Sequence, residues 1–147
     1  MRFPLACVLL FVAFSAAVVG TPATATDLFV APGGDDANAG TPDKPLATMA
    51  KARDAVRQLI AAGLKSDVNV YLRAGVYRLQ EPLTFGPEDS GSENYAVTYA
   101  AQPGETVVVS GGQPITGWKR GEGEVWIAPV PGAKEGNWNF RHLFVNG

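Results

Sequence analysis

The sequence predicts an all-β solenoid: short parallel strands wound into a stack, closed at the N-terminal end by one amphipathic α-helix. Three observations carry that expectation. A single helical stripe runs over 49–62, and nearly everything after it reads as strands of three to five residues. Those strands are rich in β-branched and aromatic types, and each is closed by Gly, Pro, Asp or Asn. Their spacing is irregular, without the repeat of about 40–45 residues that a propeller blade shows.

The elements follow in order. Leu28-Phe29-Val30 is an apolar strand stopped by Pro32-Gly33-Gly34. Asp35 to Pro45 is rich in Gly, Asp, Asn and Pro, the composition of turns whose side chains bond their own backbone. Thr48 is placed to cap the following helix. Met49, Ala52, Val56, Leu59, Ile60 and Gly63 fall on one helical face, with Lys51, Asp54, Arg57 and Gln58 elsewhere. Gly63 is a natural stop, since glycine enters the left-handed conformation that ends helices. Strands are then expected at 68–72, 76–79, 82–85, 96–100, 106–109, 125–127 and 142–145.

Short strands between turns suit a sandwich, a barrel, a propeller or a solenoid. Strands this short, with variable bends and few tight hairpin signals, favour the solenoid. Each rung there buries its inward side chains in a shared core and pairs its backbone with the next. The first rung would expose a sheet edge and an apolar end. An amphipathic helix laid over that end removes the aggregation hazard.

Composition limits the rest. Met1-Arg2, the apolar run Leu5 to Val19 and the small residues after it form the three-part pattern of a secretory signal peptide. Residues 1–25 are assigned to it, with cleavage after Gly20 or Ala25. The run is too short to span a membrane. Residues 26–147 are then the cap and first rungs of an exported protein, secreted or periplasmic and expected to be a monomer. Cleavage removes Cys7, the single cysteine, so no disulfide or thiolate chemistry is expected. The chain carries 12 Lys and Arg against 14 Asp and Glu, a net charge of −2. It has no basic cluster, which argues against nucleic acid or an anionic membrane as partner. No Asn-x-Ser/Thr site occurs. The chain ends on Asn146-Gly147, a tight-turn signal without a returning strand, so it reads as the first part of a longer protein.

Phe29 through Thr41, Lys44-Pro45-Leu46-Ala47-Thr48, Ala52 through Arg57 and Val70 through Tyr77 together resemble the N-terminal end of right-handed parallel β-helix proteins of the pectin-lyase-like superfamily. Pro87 through Glu93, Val97 through Ala101 and Ser110 through Trp118 resemble, more narrowly, secreted bacterial β-helix glycoside hydrolases. The resemblance implies hydrolysis of a polysaccharide by a carboxylate pair on later rungs, beyond residue 147, with this segment inactive alone. Two alternatives share the fold: a polysaccharide lyase using calcium and a base, and a glycan-binding or scaffold protein without catalysis. Function on a shared fold has to be argued from the site.

Candidate residues are few. Asp35, Asp36 and Asn38 with Gly40 look like an oxygen-rich calcium loop, but no terminal glutamate follows, and a self-bonded turn is expected. Glu88, Asp89 and Glu93 are the densest carboxylates, expected on a solvated loop rather than as the catalytic pair. Arg73 and Arg78 are the cations that could meet a uronate. Trp118, Trp126, Trp138, Tyr95 and Tyr99 could stack on sugar rings or pack in the core. Trp138, in its Gly- and Asn-rich setting, is the one residue assigned to substrate binding. His142 is the single histidine, so no zinc site and no cofactor are expected. The expected ligand is a polysaccharide or oligosaccharide, of unspecified sugar and linkage.

Overall fold

The computed structural model describes residues 24–138 and 141–145. The signal-peptide assignment, apart from residues 24 and 25, and the Asn146-Gly147 turn lie outside the described residues.

Among the described residues there are seven strands and one α-helix: β1 (Thr26–Val30), α1 (Met49–Ala61), β2 (Val68–Leu72), β3 (Gly75–Arg78), β4 (Val97–Ala101), β5 (Val107–Ser110), β6 (Lys119–Arg120) and β7 (Trp126–Ile127). β1, β2 and β4 form one parallel sheet in that order. The register carries no offset: Leu28, Val70 and Tyr99 align, as do Val30, Leu72 and Ala101. β3 and β5 form a second parallel pair, with Tyr77 opposite Val109. Equal register keeps the inward positions of each strand on one face, because side chains alternate with period two.

That face is the core. Leu28, Val30, Val68, Val70 and Leu72 from the sheet meet Ala52 and Val56 from α1, with Leu46 and Tyr77 completing the cluster. Val30, Val56, Val68 and Val70 are fully buried, each contributing roughly 1.5–3 kcal/mol from transfer out of water. The Tyr77 hydroxyl lies 2.9 Å from the Val30 carbonyl and 2.8 Å from that of Arg73, so its one proton is shared between them and β3 is tied to β1.

Both ends of α1 follow the expected chemistry. Thr48 Oγ1 accepts from the Lys51 N–H at 3.1 Å, and Gly63 has φ +85° just past the last turn. Protection of the sheet differs from expectation. The helix packs Ala52 and Val56 on the core face of the sheet, and the free edge of β1 is covered by the loop between β1 and α1. Phe29 N donates to Gly40 O at 2.7 Å, Leu46 N to Phe29 O at 2.9 Å and Ala31 N to Leu46 O at 2.9 Å. The loop must pass close for this. A Cβ on Gly34 would lie 2.3 Å from the Leu46 carbonyl oxygen, so only glycine fits.

Two expected strands are missing, and one hairpin was not expected. Residues 82–85 form no strand; Pro82 lacks a donor, and a short 3-10 turn at Pro87–Asp89 follows instead. Residues 142–145 are described without regular structure and are exposed. Conversely, β6 pairs antiparallel with β7, Arg120 opposite Trp126, a hairpin that no Asn-Gly or Asp-Gly pair announced. Its turn contains Gly121 and Gly123, and Gly123 supplies φ +66°.

Candidate functional site

The acidic candidates are taken up by architecture. Asp36 Oδ1 accepts the N–H groups of Ala47 and Thr48, both at 2.9 Å, and Oδ2 accepts the Thr48 hydroxyl at 2.8 Å. It therefore fixes the residue that caps α1. Asp35 Oδ1 accepts the Ala37 N–H at 2.9 Å, and Asn38 Nδ2 donates to Pro45 O at 3.0 Å. The stretch is a self-bonded turn. Among the described residues, no group of three or more His, Cys, Asp or Glu is placed to hold a metal.

Asp89 departs from expectation: it is buried, not solvated. Arg57 grips it with two bonds, Nε to Oδ1 at 2.7 Å and Nη2 to Oδ2 at 2.8 Å. Gly86 N adds a third at 2.6 Å. The guanidinium bonds, and then the backbone donor, hold the Asp89 carboxyl down at about 2, against the cost of burial. The fork matches the carboxylate and clamps α1 to the 3-10 turn. Arg57 Nη2 also lies 3.1 Å from Glu88 Oε1. A carboxylate locked this way is a poor general acid at neutral pH, because that role needs a raised pKa. Arg57 was legible only as a polar helix position, since its partner lies 32 residues away.

The uronate candidates are also engaged or isolated. Arg73 Nη2 donates to Pro42 O at 3.2 Å, and its guanidinium carbon lies 5.6 Å from the Phe29 ring centre. Arg78 lines an open cleft of about 660 Å³ between the first turn of α1 and residues 76–83. That cleft has one carboxylate, Glu81, so it offers no acid pair for glycosidic hydrolysis. Arg53 at its wall is held by Asp54 and by the Thr84 carbonyl.

Of the five aromatic candidates, four stand apart. Trp118 donates from Nε1 to Ile115 O at 2.9 Å, and Trp126 is 61% exposed on β7. Tyr99 meets Phe85 edge-on with ring centres 5.2 Å apart. Burial, and then the charge of Asp89, push the Tyr99 hydroxyl up to about 12, so it stays protonated at neutral pH. Tyr95 is half-buried beside the turn that its N–H makes to Ser92 Oγ. His142 stacks on Phe144 at 6.3 Å in the exposed 141–145 segment.

Trp138 is different. It lines a concavity of about 360 Å³ with Gln113, Pro114, Pro131, Gly132 and Asn137. Its backbone is held by the turn before it: Asn137 N and Trp138 N both donate to Gly132 O, at 2.8 and 3.1 Å, and Gly132 takes φ +79°. Two separate polypeptide stretches, 113–114 and 131–138, therefore bring a tryptophan, a glutamine, an asparagine and two prolines to one space. Sequence reasoning singled out Trp138 and did not consider Gln113 or Asn137, which line the same concavity. Both stretches are Pro- and Gly-rich, and only the fold brings them together.

Comparison with solved structures adds an independent line. One chain described as "Glycoside hydrolase" superposes with a TM-score of 0.67 at 34% identity, over 72% of this chain and 18% of that chain. This chain is similar in structure to part of a glycoside hydrolase. A second solved structure, described as "The complex structure of XylC with xylose", matches with a TM-score of 0.44 at 28% identity, over 69% of this chain and 14% of that one. The chain thus spans less than a fifth of the length of either. No protein-family profile matches the chain, and no curated protein does.

Proposed function

We propose that residues 26–147 form the helix-capped first rungs of a right-handed parallel β-helix in an exported protein that hydrolyses polysaccharide glycosidic bonds. The catalytic carboxylate pair is assigned to a part of that protein outside the described residues. The similarity to a glycoside hydrolase, at 34% identity and a TM-score of 0.67 over 72% of the chain, is the observation that carries this reading. Two features support it. The parallel strands stack with no offset in register, as successive rungs would. Asp36 and Asp89, the best-anchored carboxylates, are occupied in fixing the loop and the cap, which leaves the catalytic pair to be sought elsewhere.

In this reading the segment has a mechanical task. It starts the stack, covers its apolar end with α1 and its edge with the 40–46 loop, and so lets later rungs grow on a fixed template. The test is to incubate the complete protein with neutral and uronate polysaccharides. New reducing ends without unsaturated sugar products are the expected result. Unsaturated uronate products would replace hydrolysis with elimination. Turnover of no glycan in the panel would overturn the enzymatic reading in favour of a binding or scaffold role.

A further inference from the structure

We infer that the concavity around Trp138 is a binding subsite for a neutral pyranose ring of a glycan, and that it discriminates against uronic acids. The inference rests on the carbohydrate reading above and deepens it by naming the sugar class. Small-molecule sites usually measure about 300–1,000 Å³, so a space of about 360 Å³ suits one ring rather than a long segment.

The lining chemistry points the same way. A pyranose has apolar C–H faces and a rim of hydroxyls, each able to donate one hydrogen bond and accept others. The Trp138 indole and the rings of Pro114 and Pro131 supply flat apolar surface. Gln113 and Asn137 supply carboxamides, each with one acceptor oxygen and an amino group with two donors, the mixed pattern that a hydroxyl rim needs. The backbone that carries Asn137 and Trp138 is held by the two bonds to Gly132 O, so this turn is already formed before a ligand arrives. Pre-positioning lowers the ordering cost of binding.

What the lining omits sets the specificity. Among the described residues that line it, none carries a charge. Lys134 and Glu135 lie in the same turn but do not line the space, and both are exposed. A uronate carboxylate seated here would lose water without gaining a cation, which is costly. A neutral hexose or pentose incurs no such cost.

The test is calorimetric titration of the full 147-residue chain with cellohexaose, xylohexaose and mannohexaose, and with hexagalacturonate as the charged probe. At least one neutral oligosaccharide is expected to bind, with hexagalacturonate weaker by about tenfold or more. Trp138→Ala is expected to weaken the neutral sugar about tenfold, the size of one aromatic contact. Trp138→Phe is expected to fall between. Should Trp138→Ala lose its circular-dichroism melt, Gln113→Ala serves in its place; Gln113 is exposed, and its loss is expected to weaken binding several-fold. The inference is overturned if no neutral sugar binds, if hexagalacturonate binds as tightly, or if folded Trp138→Ala or Gln113→Ala binds like the parent. These outcomes are separable from failure of the hydrolase reading. A complete protein that releases sugar equally well with Trp138→Ala would keep the activity and lose the subsite. A chain that binds neutral sugar within a protein that cleaves none would do the reverse.

Discussion

Every buried residue among those described lies between Leu28 and Asp89, whereas none is buried between Gly111 and Trp138. The first region has parallel strands in register, a helix packed on their inner face and polar side chains turned onto the backbone. The second has one antiparallel hairpin of two-residue strands, glycine turns, and large apolar groups such as Val125, Trp126 and Ile127 more than half exposed. The difference separates two tasks. Residues 26–110 build a frame whose polar groups largely satisfy one another. Residues 111–138 add little to that frame and hold the concavity of indole and amides.

Leu46→Ala should show this contrast most strongly. Leu46 is 2% exposed and joins the loop to the core, so the change should cost about 2–5 kcal/mol in urea unfolding. Asp36→Ala comes next. It removes three bonds at the start of α1 and should cost about 1–3 kcal/mol, with faster amide exchange at Ala47, Thr48 and Lys51. A loss confined to the 35–47 loop, without faster exchange in the first turn of α1, would show that Asp36 does not hold the cap.

Acid should act through Asp89. Its folded pKa, about 2, lies below its ordinary value of 3.8. The linked stability is therefore fully present above about pH 4 and is lost as pH falls towards 2. Asp89→Asn should lower stability at neutral pH and flatten that part of the acid limb; an unchanged limb would place the acid sensitivity elsewhere. The smallest effect belongs to the second region. Trp126→Ala should stay within about 0.5 kcal/mol of the parent, because Trp126 is 61% exposed. A cost near that of Leu46→Ala would dissolve the contrast.

The first region was largely legible because its signals are local. The helical stripe, the Thr48 cap, the Gly63 stop and β2 at 68–72 stand within one residue of expectation. Loop covering of the β1 edge was not legible, because Gly34 looks like any turn glycine until Leu46 is seen against it. The clamp between Arg57 and Asp89 and the meeting of Gln113 with Trp138 were hidden for the same reason. Both join residues far apart in sequence, and neither leaves a periodic trace. The 142–145 expectation shows the opposite failure: a run ending in Leu143, Phe144 and Val145 has strand propensity, but propensity alone supplies no partner strand.

Two-dimensional amide NMR of the full chain, titrated with a neutral hexasaccharide, tests the division of tasks most directly. Shifts should concentrate at Gln113, Gly132, Asn137 and the Trp138 backbone and indole signals, with the β1–β2–β4 sheet and α1 unmoved. Shifts concentrated instead at Asp35–Leu46 or Pro87–Glu93, with Trp138 silent, would contradict it.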